Sequence, residues 1–168
     1  MKKAQVWLPD FLFGFLLFAL ALALSIKFVT NIFPDSGYKQ LLSDAEMISE
    51  TFMSEGAPIN WTNETVIKPG LLTDKKLDEN KFRNLTNMSY QEVRKLFNTR
   101  YDFFIYIHNS TLPYRVLNDT FKFGDPLVTV NASGSVNLTE LEYENLIKMD
   151  RFIVVNDSIN FLVVFVWD

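Results

Sequence analysis

Apolar residues are concentrated near the start of the chain, and the rest alternates apolar and polar positions over short segments. From Phe11 to Leu24 every residue is apolar or glycine. With its apolar flanks this run reaches the roughly 20 residues that a bilayer span needs. Only Asp10 and Lys27 interrupt it with charge. The pattern predicts a hydrophobic transmembrane segment over residues 5–33, followed by one polar domain over residues 34–168.

Proline marks both ends of this predicted helix. Pro9 is suited to the first helical position, where the missing N–H is not needed, and the helix is therefore predicted to begin there. Pro34 predicts its end or a kink, because proline cannot donate the helical hydrogen bond. A second helical stripe follows at residues 41, 45, 48 and 52, all apolar. The pattern suits a long helix whose first half lies in a membrane and whose second half packs on a sheet.

Local signals further along the chain predict short elements. Ser89 and Glu92 have the spacing of a capping box that opens a helix through Asn98, and Thr139 with Glu142 repeats that spacing before a predicted helical turn over 141–148. The predicted strands are Tyr101–Ile107, Tyr114–Leu117, Leu127–Val130, and a final hairpin of 151–155 with 158–167 around Asn156-Asp157.

Two aromatic features refine this picture. The segment from Phe161 to Trp167 is apolar at every position, whereas a strand with one wet face alternates. We therefore expect cover on both faces, or an edge that another subunit buries. Trp61 is either a ligand contact or, as we expect, a side chain filling the gap between helix and sheet. The predicted class is α+β, with a long N-terminal hydrophobic helix packed on an antiparallel sheet of four or five strands.

Charge and composition exclude several functions. Beyond residue 33 the chain has 13 basic and 19 acidic residues, which gives the domain a charge of −6. An acidic domain argues against a nucleic-acid partner. The chain lacks cysteine and has a single histidine, His108. Asp74, Asp78 and Glu79 lack the spacing of a calcium loop, and we therefore expect them in a solvated loop. With no catalytic or cofactor motif, the sequence predicts a non-enzymatic protein without a metal or cofactor.

Asparagine is unusually often followed by the glycosylation pattern Asn-x-Ser/Thr. Nine of the 14 asparagines carry it, whereas serine and threonine together make up 21 of 168 residues, so that chance gives about two. The alternative is a surface merely rich in turn-forming residues. The excess predicts an exported glycoprotein whose polar domain is extracellular. The candidate sites are Asn60, Asn63, Asn84, Asn87, Asn109, Asn118, Asn131, Asn137 and Asn156.

Three interpretations of the first 33 residues remain. A cleaved secretory signal has a small-residue cleavage site after its apolar core, and the segment Ser25–Val29 offers none. A simple signal anchor would keep Lys2 and Lys3, and therefore the N-terminus, in the cytoplasm. The third interpretation is a signal cut before the apolar helix rather than after it.

The start MKKAQ, with an acid at the head of the apolar run, resembles the class III signal peptides of archaeal type IV pilins. In that family a prepilin-type signal peptidase cuts between a small residue and glutamine. The resemblance implies a leader of residues 1–4 and cleavage between Ala4 and Gln5. The usual glutamate at the fifth mature position is replaced by Pro9, and the acid is Asp10, one residue later. With the acid at this position, the start of the chain resembles minor pilins rather than a major filament subunit.

The resemblance implies a function and a set of partners. Gln5 and Asp10 would dock neighbouring subunits, the freed amine of one chain meeting the carboxylate of the next. The expected partners are membrane lipid, the signal peptidase, other pilin-like subunits and the pilus assembly machinery. The expected location is the cell membrane, with one pass and an extracellular C-terminal domain, or a surface filament. Asp10 is alternatively only a helix cap, in a membrane-anchored binding or sensor module.

Overall fold

The structure, a computed structural model, describes residues 7–32, 36–109, 115–116, 119–131 and 135–168. The chain divides into two units, Met1–Gly37 and Tyr38–Asp168. The predicted cleavage residues Ala4 and Gln5, and the predicted helix end at Pro34, lie outside the described residues.

The first unit contains α1, Trp7–Ile32, a helix of 26 residues. The chain is already helical at Trp7, two residues before the predicted start, so Pro9 lies within the first turn rather than at the first position. This position is permitted, since the first four N–H groups of a helix have no partner within it. The side chains from Leu8 to Phe28 are not buried.

In the described part of the second unit there are three helices: α2, Ser36–Phe52, apart from its first two residues; α3, Glu79–Thr86; and α4, Tyr90–Phe97. The predicted apolar stripe of α2 is confirmed, since residues 41, 45, 48 and 52 are fully buried. The capping box of α4 is also confirmed: the Ser89 hydroxyl accepts from the Glu92 N–H, and the Glu92 carboxylate accepts from the Ser89 N–H.

The described residues form ten strands: β1 Leu72–Thr73, β2 Lys76–Leu77, β3 Asp102–His108, β4 Arg115–Val116, β5 Asp119–Thr120, β6 Lys122–Gly124, β7 Thr129–Val130, β8 Val136–Asn137, β9 Leu146–Val155 and β10 Ser158–Trp167. The main sheet has six strands in the order β1-β2-β9-β10-β3-β6, while β4 pairs with β5 and β7 with β8. The α+β class is confirmed. The antiparallel sheet of four or five strands is wrong in detail, because β2 pairs with β9 in parallel.

The two faces of β10 belong to two separate apolar clusters. Leu162, Val164 and Val166 join the larger cluster, which contains the buried stripe of α2. Val163, Phe165 and Trp167 join a second cluster that includes Val128 and partly buried residues around β7 and β8. The predicted cover on both faces is therefore confirmed. The larger cluster also contains buried residues of α3 and α4, among them Leu85 and Phe97.

The terminal hairpin is confirmed, whereas the elements before it differ from the prediction. Asn156 and Asp157 both adopt positive φ, as a two-residue turn between β9 and β10 requires. The predicted helical turn over 141–148 is wrong, because β9 already begins at Leu146. The Thr139 N–H and hydroxyl instead bond to the Asn137 side chain. Tertiary pairing with β10 has overridden a local capping signal.

Weakly patterned strands were predicted least well. The segment 127–130 forms a strand only at Thr129–Val130. Of the predicted strand 114–117, the structure describes Arg115–Val116, and the rest lies outside the described residues. β6 was not predicted, although Phe104, Ile105 and Tyr106 of β3 pair with it. Three residues carry too little alternation to be recognised as a strand before the partner is known.

Candidate membrane segment and glycosylation surface

The first candidate site is the exposed surface of α1. From Leu8 to Phe28 the helix is long and apolar enough to cross a membrane, a property that signal sequences share. Side chains around its whole circumference are exposed, and Phe11 stacks on Phe15 one turn later at 6.5 Å between ring centroids. An apolar surface of this kind needs lipid or other helices around it.

Asp10 lies in the first turn of α1 and is exposed. Its carboxylate there faces the positive end of the helix dipole, which agrees with its interpretation as a helix cap. The predicted docking partner, the amine at Gln5, lies outside the described residues. The pairing of Gln5 with Asp10 therefore stays a prediction.

Seven of the nine predicted glycosylation asparagines have exposed side chains: Asn60, Asn63, Asn87, Asn109, Asn131, Asn137 and Asn156. Asn118 lies outside the described residues. Asn84 is different, because it lies within α3, is half-buried, and donates its side-chain Nδ2 to the Trp61 carbonyl at 3.2 Å. That nitrogen is the atom to which an N-linked glycan attaches, so the fold disfavours Asn84 as an acceptor.

The hairpin tip presents its asparagine on a fixed turn. Asn156 has φ of 48° and Asp157 has φ of 59°. The Asp157 carboxylate accepts a hydrogen bond of 2.7 Å from the Lys76 ammonium of β2. This contact lowers the pKa of Asp157 and raises that of Lys76. Because both groups are exposed, the pair orients the tip without adding much stability.

Residues that could have carried other chemistry have structural roles. Trp61 is 1% exposed and belongs to the core, as predicted. His108 stacks between the rings of Tyr106 and Phe161. Asp78 caps α3 by accepting from the backbone N–H groups of residues 80 and 81, which corrects its interpretation as part of a solvated loop. Within the described ranges, no group of three metal-ligating side chains is placed to hold an ion.

Sequence reasoning did not find a depression of about 390 Å³ beside the end of α4, where Arg94, Lys95 and Arg100 contribute the charges. On one side of this depression, the polar contacts stabilise the fold. Asp102 accepts from the Tyr90 hydroxyl at 2.7 Å and pairs with the Arg94 guanidinium at 2.8 Å, which ties α4 to the start of β3. Burial, together with the Asp102 charge, raises the pKa of Tyr90 well above its ordinary value and keeps the hydroxyl protonated.

A second unpredicted surface lies on the terminal hairpin. Phe152 of β9 and Ile159 of β10 are 71% and 70% exposed, although both belong to long central strands. The only signal in the sequence was the unusually apolar hairpin. The fold is needed to place these side chains on a surface.

Compared with protein-family models, with characterised proteins and with solved structures, the chain gives no significant match.

Proposed function

We propose that the protein is a structural, non-enzymatic subunit of an archaeal type IV pilus-like surface filament or assembly machine, of the minor-pilin type. The observation that carries this proposal is α1, 26 residues long and unburied from Leu8 to Phe28, at the head of a separately folded α+β unit. A membrane first holds this helix, and helices of other subunits then replace the lipid.

Close packing of such helices is favoured by small side chains. Gly14 leaves open space around the position of a Cβ atom, and Ala19, Ala21 and Ala23 follow on the same helix. Without a hydrophobic driving force between helices in lipid, association depends on close approach and on polar contacts. Asp10 supplies the polar contact, and its partner is the amine freed at the N-terminus of a neighbouring chain.

The second unit, Tyr38–Asp168, suits an extracellular location. It carries the acidic excess and all nine glycosylation patterns, seven of them on exposed asparagines. Lys2 and Lys3 favour a cytoplasmic N-terminus by the positive-inside tendency. The proposed topology is therefore a single pass with the C-terminal unit outside, after cleavage between Ala4 and Gln5 by a prepilin-type signal peptidase.

The second candidate is a membrane-anchored extracellular binding or sensor module. The exposed position of Asp10 in the first turn of α1 favours it, because a helix cap explains that carboxylate without any neighbour. In such a module α1 would stay in the membrane, and the leader would remain attached. The two candidates differ in what they require of the N-terminus and of Asp10.

The decisive experiment combines N-terminal mass spectrometry with Asp10→Ala and its charge-retaining control Asp10→Glu. The pilin-like subunit predicts a mature chain that starts at Gln5, and Ala4→Leu should block this maturation. Asp10→Ala should leave export and folding intact but reduce filament incorporation, and Asp10→Glu should retain more of it. An intact Met1 start, with equal copurification of other pilins in all variants, would establish the anchored module instead.

A further inference from the structure

One long strand of the main sheet, β9, is paired along its whole length on one side only. All ten residues of β9 pair with β10. On the other side β2 pairs with β9 through the single register Lys76 with Val154. In the part of the chain that the structure describes, no strand pairs with the outer edge of segment 146–152. An open row of backbone N–H and C=O groups is a template for another strand.

The hairpin determines which residues of β9 direct their backbone outward. A two-residue turn closes on a hydrogen-bonded pair, here Val155 with Ser158. Odd-numbered residues of β9 therefore bond to β10, and even-numbered residues direct N–H and C=O away from it. Val154, the residue in register with β2, belongs to the even set as this alternation requires. The open outward positions are Leu146, Lys148, Asp150 and Phe152.

The side chains at these four positions share one face of the sheet, because alternate residues of a strand point to the same side. Lys148 and Asp150 form an exposed pair of 3.0 Å within the strand. Phe152 is 71% exposed, which is unusual for an apolar residue of a long central hairpin. The four positions are thus apolar, positive, negative and apolar. When the same strand is placed alongside in the opposite direction, each charge can face an opposite charge and each apolar residue an apolar one.

We propose that the β9 edge pairs with β9 of a second copy of this chain, antiparallel and about a two-fold axis at Met149. In this register Lys148 lies opposite Asp150 of the second copy, and the reverse pair follows by symmetry. Leu146 lies opposite Phe152 of the second copy. The nearest alternative registers place Lys148 opposite itself or Asp150 opposite itself. Like charges directly opposite destabilise a strand pair, so the charges select the register centred on Met149.

The length of the open edge selects the same register independently. The edge is bounded by β2 at Val154 on one side and by the first residue of β9, Leu146, on the other. The midpoint of segment 146–152 is Met149. A partner strand centred there uses the whole open edge and ends before it would meet β2. Charge order and available length therefore point to one and the same arrangement.

Two further features are compatible with this pairing. No glycosylation pattern occurs between Asn137 and Asn156, so no N-linked glycan would originate on β9. A two-fold axis normal to the sheet also leaves α2 of both copies on the same face of the joined sheet. Isologous pairing is closed and does not propagate. The pair is thus separate from filament packing, and it can exist whether or not the proposed pilin-like function is correct.

Cysteine cross-linking of the full chain in its native membrane tests the register, since the protein has no cysteine of its own. In Met149→Cys the two new thiols would face each other at a non-hydrogen-bonded pair, with Cα atoms about 4.5 Å apart, within disulfide range. Phe152→Cys is the matched control on the same strand, because its two copies would lie about 20 Å apart. Mild oxidation should give covalent dimers of Met149→Cys only. Absence of that dimer, or equal dimer in the control, overturns the proposal.

A charge exchange tests the contact without relying on Met149, which is half-buried. Lys148→Asp places like charges opposite each other in both symmetric pairs and should weaken self-association of the detergent-purified chain about tenfold. Adding Asp150→Lys restores opposite charges and should restore the association. Sedimentation equilibrium measures the dissociation constants, and thermal unfolding verifies that each variant is folded. A double variant that associates no better than Lys148→Asp rejects the arrangement.

Discussion

The indole N–H of Trp61 donates a hydrogen bond of 2.8 Å to the carbonyl oxygen of Gly70 inside the apolar core. Both residues belong to the connection between α2 and β1, and both are buried. The bond satisfies two polar groups that have no access to water. It therefore lets a loop enter the core, where an unpaired polar group would be costly.

The first prediction concerns this bond. Trp61→Phe removes the donor, leaves the Gly70 carbonyl without it, and opens a small cavity. We expect the free energy of unfolding of the second unit, Tyr38–Asp168, to fall by about 1–3 kcal/mol. Denaturant unfolding of the full chain in detergent, followed by circular dichroism, measures it. Ile67→Ala is the control in the same connection, because Ile67 is 74% exposed and should change stability by less than about 0.5 kcal/mol.

The second prediction concerns the packing of Gly70 itself. A Cβ atom there would lie 2.2 Å from the backbone nitrogen of Gly56 and 2.3 Å from the carbonyl oxygen of Ser54. Since backbone atoms cannot rotate away, Gly70→Ala should cost about 3 kcal/mol or more. Limited proteolysis and thermal unfolding report this loss. The same substitution at Gly14, which has open space, should leave both unchanged, and a stable Gly70→Ala protein would contradict the packing.

The third prediction concerns pH and the cap of α3. Burial opposes ionisation of Asp78, but hydrogen bonds from Thr73 and from the N–H groups of Lys81 and Asn80 outweigh it and lower the pKa. A carboxyl group whose pKa is lower in the folded state stabilises the folded protein at pH values above the unfolded-state pKa of about 3.9. This stabilisation is lost as the pH falls through the folded-state pKa.

Asp78→Asn keeps a capping oxygen but removes the charge. Its melting temperature should therefore lie below that of the wild type at neutral pH, and the difference should shrink as pH falls below about 4. Thr73→Val, which removes a donor 2.8 Å from the carboxylate, should show part of the same pH dependence. A difference that stays constant from neutral pH to pH 3 would disprove the linkage.

The fourth prediction separates two glycosylation patterns by their surroundings. Ser158→Ala removes the pattern at Asn156 while keeping the exposed turn asparagine, and the mass of the native protein should fall by one glycan. Thr86→Ala removes the pattern at Asn84, whose amide nitrogen is already bonded to the Trp61 carbonyl, and the mass should change only by the substitution. Intact-protein mass spectrometry from native membranes decides, and loss of a glycan from Thr86→Ala would refute the structural argument.

What the sequence by itself determined is the local structure. The apolar run specifies α1, the Ser89–Glu92 spacing specifies the cap of α4, and the Asn156-Asp157 pair specifies the terminal turn. Each of these signals lies within a few residues along the chain, so the backbone and its nearest side chains satisfy it alone. The apolar repeat of α2 and the buried positions of β10 were predictable for the same reason.

The tertiary structure alone decided how distant segments meet. The parallel register of Lys76 with Val154, the short strand β6 and the open edge of β9 depend on partners many residues away, which no local pattern encodes. Pairing between distant segments also explains why the capping signal at Thr139 does not start a helix. Leu146 pairs with Trp167, so the predicted helical segment is part of a strand from Leu146 onward. The glycosylation patterns illustrate what each level determines. The sequence identifies the candidate asparagines, but only the fold distinguishes Asn84, which is half-buried and hydrogen-bonded, from the exposed Asn156.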